Sequence, residues 1–309
     1  MTTDAPLHLD IADAPAGGTA QYHTVGEMQI RIATWPGGQN GTVLILPGRT
    51  EYIEKYGRVI TRFVMQGYSV ACIDWRGQGL STRPGGNLEL GHVRSFSEYQ
   101  HDLKAMLAVT QDWPTPRHIV CHSMGGCIGL RALSNGLEVA SATFSAPMWG
   151  LHLKPAERMF APFTIRFLRA MGRGQDFAPG GRNSRSVLLK SFEDNPLTTD
   201  PETFAWFRGQ LKSHAILGLG APSVSWLGAA FDEMEELHDA PMPTCPVLVG
   251  VGGDEEVVST SAILSQMERI PNGTLVNLGD ARHELFMERP ELLNEWWTRI
   301  DAHLANTNQ

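Results

Sequence analysis

Residues 121–126, Cys-His-Ser-Met-Gly-Gly, stand between a short apolar run at 118–121 and a helix-periodic run at 124–133. A short apolar run bounded by turn residues reads as a buried strand, and apolar residues recurring at helical spacing read as a helix. The hexapeptide is therefore a strand-to-helix turn with Ser123 at its apex. Such a turn has to be tight, and small residues two before and two after the serine let the helix fold back against the strand. Gly125 and Gly126 keep one side open, while Cys121 stands where this arrangement usually has glycine. A serine so placed has the backbone N–H groups of the helix start beside it, where the helix dipole favours negative charge. Ser123 is a candidate nucleophile, with a glycine-rich packing turn as the plain alternative.

Outward from this turn, strand and helix patterns alternate. Strand-like runs fall at 42–46, 68–73, 139–144, 246–251 and 274–278, and helical ones at 53–65, 96–109, 261–268 and 290–304. That rhythm predicts a mostly parallel sheet with helices on both faces. It breaks between about 145 and 243, a stretch rich in Phe, Trp and Met with helical periodicity and no convincing strand, which reads as an insertion. The expected division is a core of 1–145 and 244–309 and a helical cap of 146–243.

Composition narrows the function. The 309 residues are 42% hydrophobic and 19% charged with a formal charge of −8. These are globular values, and the acidic balance argues against a surface built for nucleic acid. No stretch approaches the roughly 18 apolar residues of a membrane span, and the amino terminus lacks a signal-peptide pattern, so a soluble, cytoplasmic chain is expected. The four cysteines form no CxxC pair and read as buried thiols; among the 11 histidines there is no HExxH or comparable ligand spacing. No metal or organic cofactor is expected.

Serine is a weak nucleophile that needs a base, and the base needs an orienting acid. Asp254 follows the strand-like run PVLVGV (246–251), and His283 follows TLVNL (274–278). Serine, acid and histidine thus occur in a known triad order, each beyond the carboxyl end of a strand. Asp254 is the expected acid; Glu255, Glu256 and Asp280 are rivals by position. His122, next to the serine, is expected to point away and to be structural. The oxyanion of an acyl-transfer step needs two donors, and the backbone amides of Arg49, after the 42–46 strand, and of Met124 are the candidates.

The blocks LPGRTEYIEKYGR (46–58), DWRGQGLS (74–81), CHSMGG (121–126), GGDEEVV (252–258) and ARHELFMER (281–289) together resemble the α/β-hydrolase family that includes bacterial lysophospholipases and monoacylglycerol lipases, the S33 serine aminopeptidase type. Pro47 stands where that family usually has histidine, and Tyr52-Ile53 where it has His-Ser. The resemblance implies an eight-stranded α/β-hydrolase fold with its cap between strands 6 and 7. It implies Ser123, Asp254 and His283 as catalytic residues and Arg49 and Met124 as the oxyanion hole; residues 74, 76, 77, 79 and 81 match an architectural block. The implied substrate is a carboxylic ester with an apolar acyl chain, a lysophospholipid or monoacylglycerol. A peptidase or amidase, a small-ester carboxylesterase and an inactive binding protein on the same fold are the alternatives.

The cap carries the substrate expectation. Between 150 and 190 eight basic residues face two acidic ones. If Pro162 opens a helix, Arg166, Arg169 and Arg173 share one face and Phe163, Phe167 and Met171 another. Such a helix could cover an acyl pocket or touch anionic lipid transiently at a membrane surface. Trp149, Trp206 and Trp226 are expected to line the cleft.

Overall fold

Six apolar runs pair in parallel: β4 (Thr42–Leu46), β5 (Ser69–Ile73), β6 (Arg117–His122), β7 (Ser141–Ser145), β8 (Val247–Val251) and β9 (Gly273–Asn277). Every residue of β4, β5, β7 and β8 is buried, the pattern of strands covered on both faces. The covering helices are α2 (Gly57–Met65) and α9 (Pro290–Ala305) on one side, and α3 (Ser97–Val109), α4 (Met124–Ser134) and α7 (Val224–Asp239) on the other. Alternation along β6 shows the division: Ile119 packs in the cluster holding Leu103, Ile128 and Ala229, and Val120 in that holding Ile60 and Trp296. The structure, a computed structural model, describes residues 2–84, 87–181 and 191–307.

Among the described residues the sheet has nine strands in the order β1-β2-β3-β5-β4-β6-β7-β8-β9, not the expected eight. The additional strand is β1 (Thr2–Asp4), which pairs antiparallel with β2 (Thr19–Val25); β2 in turn pairs with β3 (Met28–Trp35). In β2 exposed and covered residues mix and the sequence is largely polar, so no apolar run marks it. The helical insertion follows β7, whose counterpart in an eight-strand count is strand 6. It contains α5 (Pro155–Ala170), α6 (Pro201–Ser213) and α7. Helix α5 starts at Pro155, before the expected Pro162, because the Glu157 carboxylate accepts the Lys154 N–H and caps the turn. Pro162 lies inside it.

The 53–65 helix also divides, into a 3₁₀ turn Ile53–Tyr56 and α2. Gly57 marks the junction, where a Cβ would stand 1.8 Å from the Ala12 carbonyl oxygen. Beneath this junction Arg31 of β3, fully buried, donates from Nε to Asp74 at 2.7 Å and from Nη1 and Nη2 to Glu54 at 2.8 and 2.7 Å. Asp74 also accepts the N–H of Ile53 and of Leu80, and Ser81 caps the Asp74 carbonyl. The 74–81 block is thus architectural, as expected. It pins the loop after β4, which borders the site described below.

Removing one member of a buried ion cluster leaves the others uncompensated, at a cost of about 3–5 kcal/mol. Arg31→Leu should lower stability by that amount in urea unfolding, and a change under about 1 kcal/mol would contradict a clamping role.

Candidate active site

Because β4, β6, β8 and β9 run parallel, their carboxyl ends open on one edge, and the loops after them meet there. Ser123 follows β6 directly, with φ 48° and ψ −115°, a conformation that costs energy for any residue carrying a Cβ. Its N–H donates to Ser145 O, and its carbonyl accepts from Gly126 and Met148. A Cβ on Gly125 would stand 1.9 Å from Leu46 O, and one on Gly126 would stand 2.6 Å from Pro147 Cβ. The absent glycine at Cys121 is compensated inside the helix, where a Cβ on Gly129 would come within 2.6 Å of the Cys121 sulfur.

His283, carried by the loop after β9, bridges two groups. Its Nε2 lies 2.9 Å from Ser123 Oγ and its Nδ1 2.8 Å from Glu255 Oε2. All three side chains are buried. The second Glu255 oxygen accepts the N–H groups of Val257 and Val258, so this carboxylate has no freedom to leave the imidazole. Burial opposes charge on both partners, but the Glu255 carboxylate outweighs it at His283, raising that pKa. His283 and the two amides outweigh burial at Glu255, lowering that one.

The expected acid, Asp254, is not the partner. It sits exposed in a turn, its N–H on Ala281 O. Glu256 is also exposed, and Asp280 pairs with Arg289 at 2.6 Å. The loops after β8 and β9 are laced closely: a Cβ on Gly252 would meet Ala281 O at 2.1 Å and one on Gly253 would meet Gly279 O at 1.9 Å. The tight turn faces Asp254 outward and delivers the next, longer carboxylate to the histidine. Asp254, Glu255 and Glu256 face out, in and out, an alternation that three adjacent carboxylates in the sequence do not reveal.

The loop after β4 approaches the nucleophile from the other side. A Cβ on Gly48 would lie 3.1 Å from Ser123 Cβ. The Gly48 carbonyl accepts from Gln78 Nε2 at 2.7 Å. In a trans peptide the following N–H points the opposite way, so the Arg49 amide faces away from Gln78. The Met124 amide opens α4 beside Ser123.

Ser123, His122 and His283 line a cavity of about 360 Å³ whose other walls are mostly apolar, among them Met148, Leu151, Phe204, Phe207, Leu211 and Trp226. Of the three expected tryptophans only Trp226 is there. Trp149 is buried against Phe144 with its indole N–H on Gly126 O, and Trp206 stacks under Arg58 away from the cavity. Phe204, Phe207 and Leu211, spaced along one face of α6, take that place.

Residues 37–290 match the family described as serine aminopeptidase, S33. The chain belongs to this family of α/β-hydrolases. It is similar to the probable lysophospholipase L2 of Haemophilus influenzae, 26% identical over 253 residues that cover 80% of this chain and 78% of that protein. It is similar also to the monoacylglycerol lipase of Mycolicibacterium smegmatis, 26% identical over 292 residues, covering 91% and 95%. In fold it matches a soluble variant of monoglyceride lipase from Saccharomyces cerevisiae solved with a substrate analog, at a TM-score of 0.76 and 18% identity over 96% of this chain and 98% of that one. These relatives place the S33 hydrolase among serine ester hydrolases.

One cluster in this S33 hydrolase was not foreseen. Lys55 Nζ donates to Glu51 and Glu284, both at 2.6 Å, and Glu284 lies 3.4 Å from His122 Nε2. Glu51 also accepts from Tyr56 Oη and from the Gly48 N–H. Burial raises the Glu51 pKa, but Lys55 and His122 overcome it and hold the carboxyl down at about 2. Glu51, His122 and Glu284 converge as metal ligands would, yet the Lys55 ammonium occupies the cationic place between the carboxylates. His122 is anchored through Nδ1 to Ser145, and its ring lies 4.8 Å from that of His283. The expected orientation away from the site is not found: the ring is held by Ser145 and lines the cavity.

A general base must be neutral to accept a proton, so a raised His283 pKa moves the acid limb of activity upward. The kcat/KM of a soluble ester should fall with a midpoint above the 6.5 of free imidazole. Glu255→Gln should shift that midpoint down and lower the rate by about 10²–10⁴-fold, whereas Asp254→Asn should stay within about twofold. Loss of activity in Asp254→Asn with Glu255→Gln intact would reverse the assignment.

Proposed function

We propose that this chain is a serine ester hydrolase acting on single-chain lipids, lysophospholipids or monoacylglycerols. The observation that carries this reading is the imidazole held between a strained serine and a fully engaged carboxylate at the end of an apolar cavity. Ser123 Oγ attacks the ester carbonyl carbon as its proton passes to His283 Nε2. The oxyanion takes hydrogen bonds from the Arg49 and Met124 amides, a contribution of about 3–4 kcal/mol per donor in comparable sites. His283 then protonates the leaving alkoxide as the carbon–oxygen bond breaks, leaving an acyl-serine. Water attacks the acyl carbon, giving its proton to His283, and the released serine recovers a proton. Glu255 holds the imidazole tautomer and balances its charge in both halves.

An aminopeptidase, which the family description names, would need a carboxylate free to bind a substrate amino terminus. Among the described residues the carboxylate on the cavity wall is Glu284, and it is bound by Lys55, so the ester reading is favoured.

We further propose that the cap meets lipid through its apolar face. Met159, Phe160, Phe163, Phe167 and Met171 are each 61–74% exposed, while Ile165 alone is buried along α5. The expected basic face is partly neutralised, because Arg169 pairs with Asp232 and Arg173 with Asp176. Arg182, Arg185 and Lys190 lie outside the described residues. No helix among the described residues is long and apolar enough to cross a membrane. An exposed aromatic row beside arginines suits shallow insertion at a lipid surface.

Three measurements test these proposals. Ser123→Ala should lose all turnover above background, and in the wild type kcat/KM should rise across p-nitrophenyl esters from acetyl to long acyl chains. An acetyl preference would make the enzyme a small-ester esterase. Phe163→Ser combined with Phe167→Ser should lower hydrolysis of lysolipid in anionic vesicles several-fold more than that of a soluble ester, and an equal effect on both would contradict lipid docking.

A further inference from the structure

Arg49 serves two places in the fold. Its amide stays beside Ser123 while its side chain reaches the cap, where Nη2 donates to Gly220 O at 2.7 Å and the guanidinium lies 5.0 Å from the centre of the Trp226 ring. Arg49 and Trp226 both line the catalytic cavity. Nε is buried without a hydrogen-bond partner, and among the described residues no carboxylate pairs with this guanidinium. Charged groups are normally buried only when paired. The most buried arginines obey that rule or are saturated by carbonyls: Arg31 faces Glu54 and Asp74, Arg76 faces Asp102, and Arg83 donates to Gly79, Leu88, Ile216 and Gly218. Half-buried Arg117 also has an unpartnered Nε and donates from Nη2 to Thr110 O, so what sets half-buried Arg49 apart is its place on the catalytic cavity. Burial with no compensating carboxylate lowers the Arg49 pKa to about 10, so it stays charged at neutral pH. The second cation on the cavity wall, Lys55, is taken by Glu51 and Glu284 and lies over Phe207. On one flank of the cavity the Glu284 carboxylate is thus matched by Lys55, and the Trp226 flank carries an unbalanced positive charge.

We propose that the Arg49 side chain binds the phosphate of a substrate's leaving group, making a lysophospholipid, rather than a neutral monoacylglycerol, the preferred ester. This rests on the ester-hydrolase reading above and specifies its substrate. An arginine stem is comparable in length to the glycerol unit that separates the ester carbonyl from the phosphate. A carbonyl held at the Arg49 amide therefore brings the phosphate to the guanidinium of the same residue. Guanidinium is suited to phosphate because its planar fork matches the oxygens and it gives up hydration more readily than an ammonium.

The test is a selectivity ratio. The kcat/KM of myristoyl lysophosphatidylcholine is divided by that of monomyristoylglycerol, both in the same neutral mixed micelles, for wild type, Arg49→Met and Arg49→Lys. Loss of a charged hydrogen bond predicts a fall of about tenfold or more in the ratio for Arg49→Met, carried mainly by KM, with partial retention in Arg49→Lys. Glycerol 3-phosphate binding, measured by calorimetry, should be present in the wild type and lost in Arg49→Met. Equal loss on both esters in a variant with unchanged melting would overturn the proposal in favour of a strap between loop and cap. Binding of glycerol 3-phosphate through Arg49 with an unchanged ratio would assign the site to free phosphate esters and overturn the head-group role. If no Ser123-dependent turnover of either ester occurs, the catalytic reading fails, and the calorimetry alone decides whether Arg49 is an anion site.

Discussion

The contact between Gly125 and the Leu46 carbonyl sets the geometry of everything around it. Helix α4 can start immediately after β6 only because no side chain separates it from β4, and that close start forces Ser123 to positive φ. The strain is held by bonds from the Ser123 backbone to Gly126 in the first turn of α4, to Ser145 on neighbouring β7 and to Met148 in the loop beyond it. The same approach places the end of β4 in register with Cys121, so the loop carrying Gly48 and Arg49 passes directly beside the nucleophile. One steric requirement thus positions the hydroxyl and both candidate oxyanion amides on a rigid frame.

Charge is distributed around that frame in two buried sets. Arg31 with Glu54 and Asp74 ties the antiparallel edge of the sheet to the loop after β4 from below. Lys55 with Glu51 and Glu284 ties the same loop to the segment carrying His283, because Glu284 is the next residue. Glu51 reaches the Gly48 amide as well. The loop after β4 and the segment carrying His283 are therefore joined through one buried ammonium, and a site that depended on sub-ångström placement would gain from such coupling. Arg49 stands outside both sets, and this is why its charge is available to a ligand.

Much of the frame was legible along the chain. The alternation of short apolar runs with helical ones identified the six parallel strands to within a few residues, because strands buried on both faces cannot hide their composition. The Ser123 turn and His283 were legible because tight turns restrict residue type. The hairpin of β2 and β3 was missed, since β2 is polar and partly exposed and the apolar residues of β3 are interrupted by Gln29, Arg31 and Thr34, so neither carries a continuous apolar run. Glu255 stood only as a rival to Asp254 because sequence position does not show which of two adjacent carboxylates a glycine turn faces inward. The cavity wall was also beyond reach: Trp149 and Trp206 face elsewhere, and Phe204, Phe207 and Leu211 enter only through the tertiary docking of α6. The aromatic row of α5 reads equally as a packed or an exposed face until its neighbours are known, and the fold leaves it bare.

The most direct measurement is the site of covalent modification. Incubation with a fluorophosphonate and peptide mapping by mass spectrometry should find a single adduct, on Ser123, forming far more slowly in Glu255→Gln. An adduct on another residue, or no adduct in folded protein, would contradict an activated hydroxyl at the strained turn.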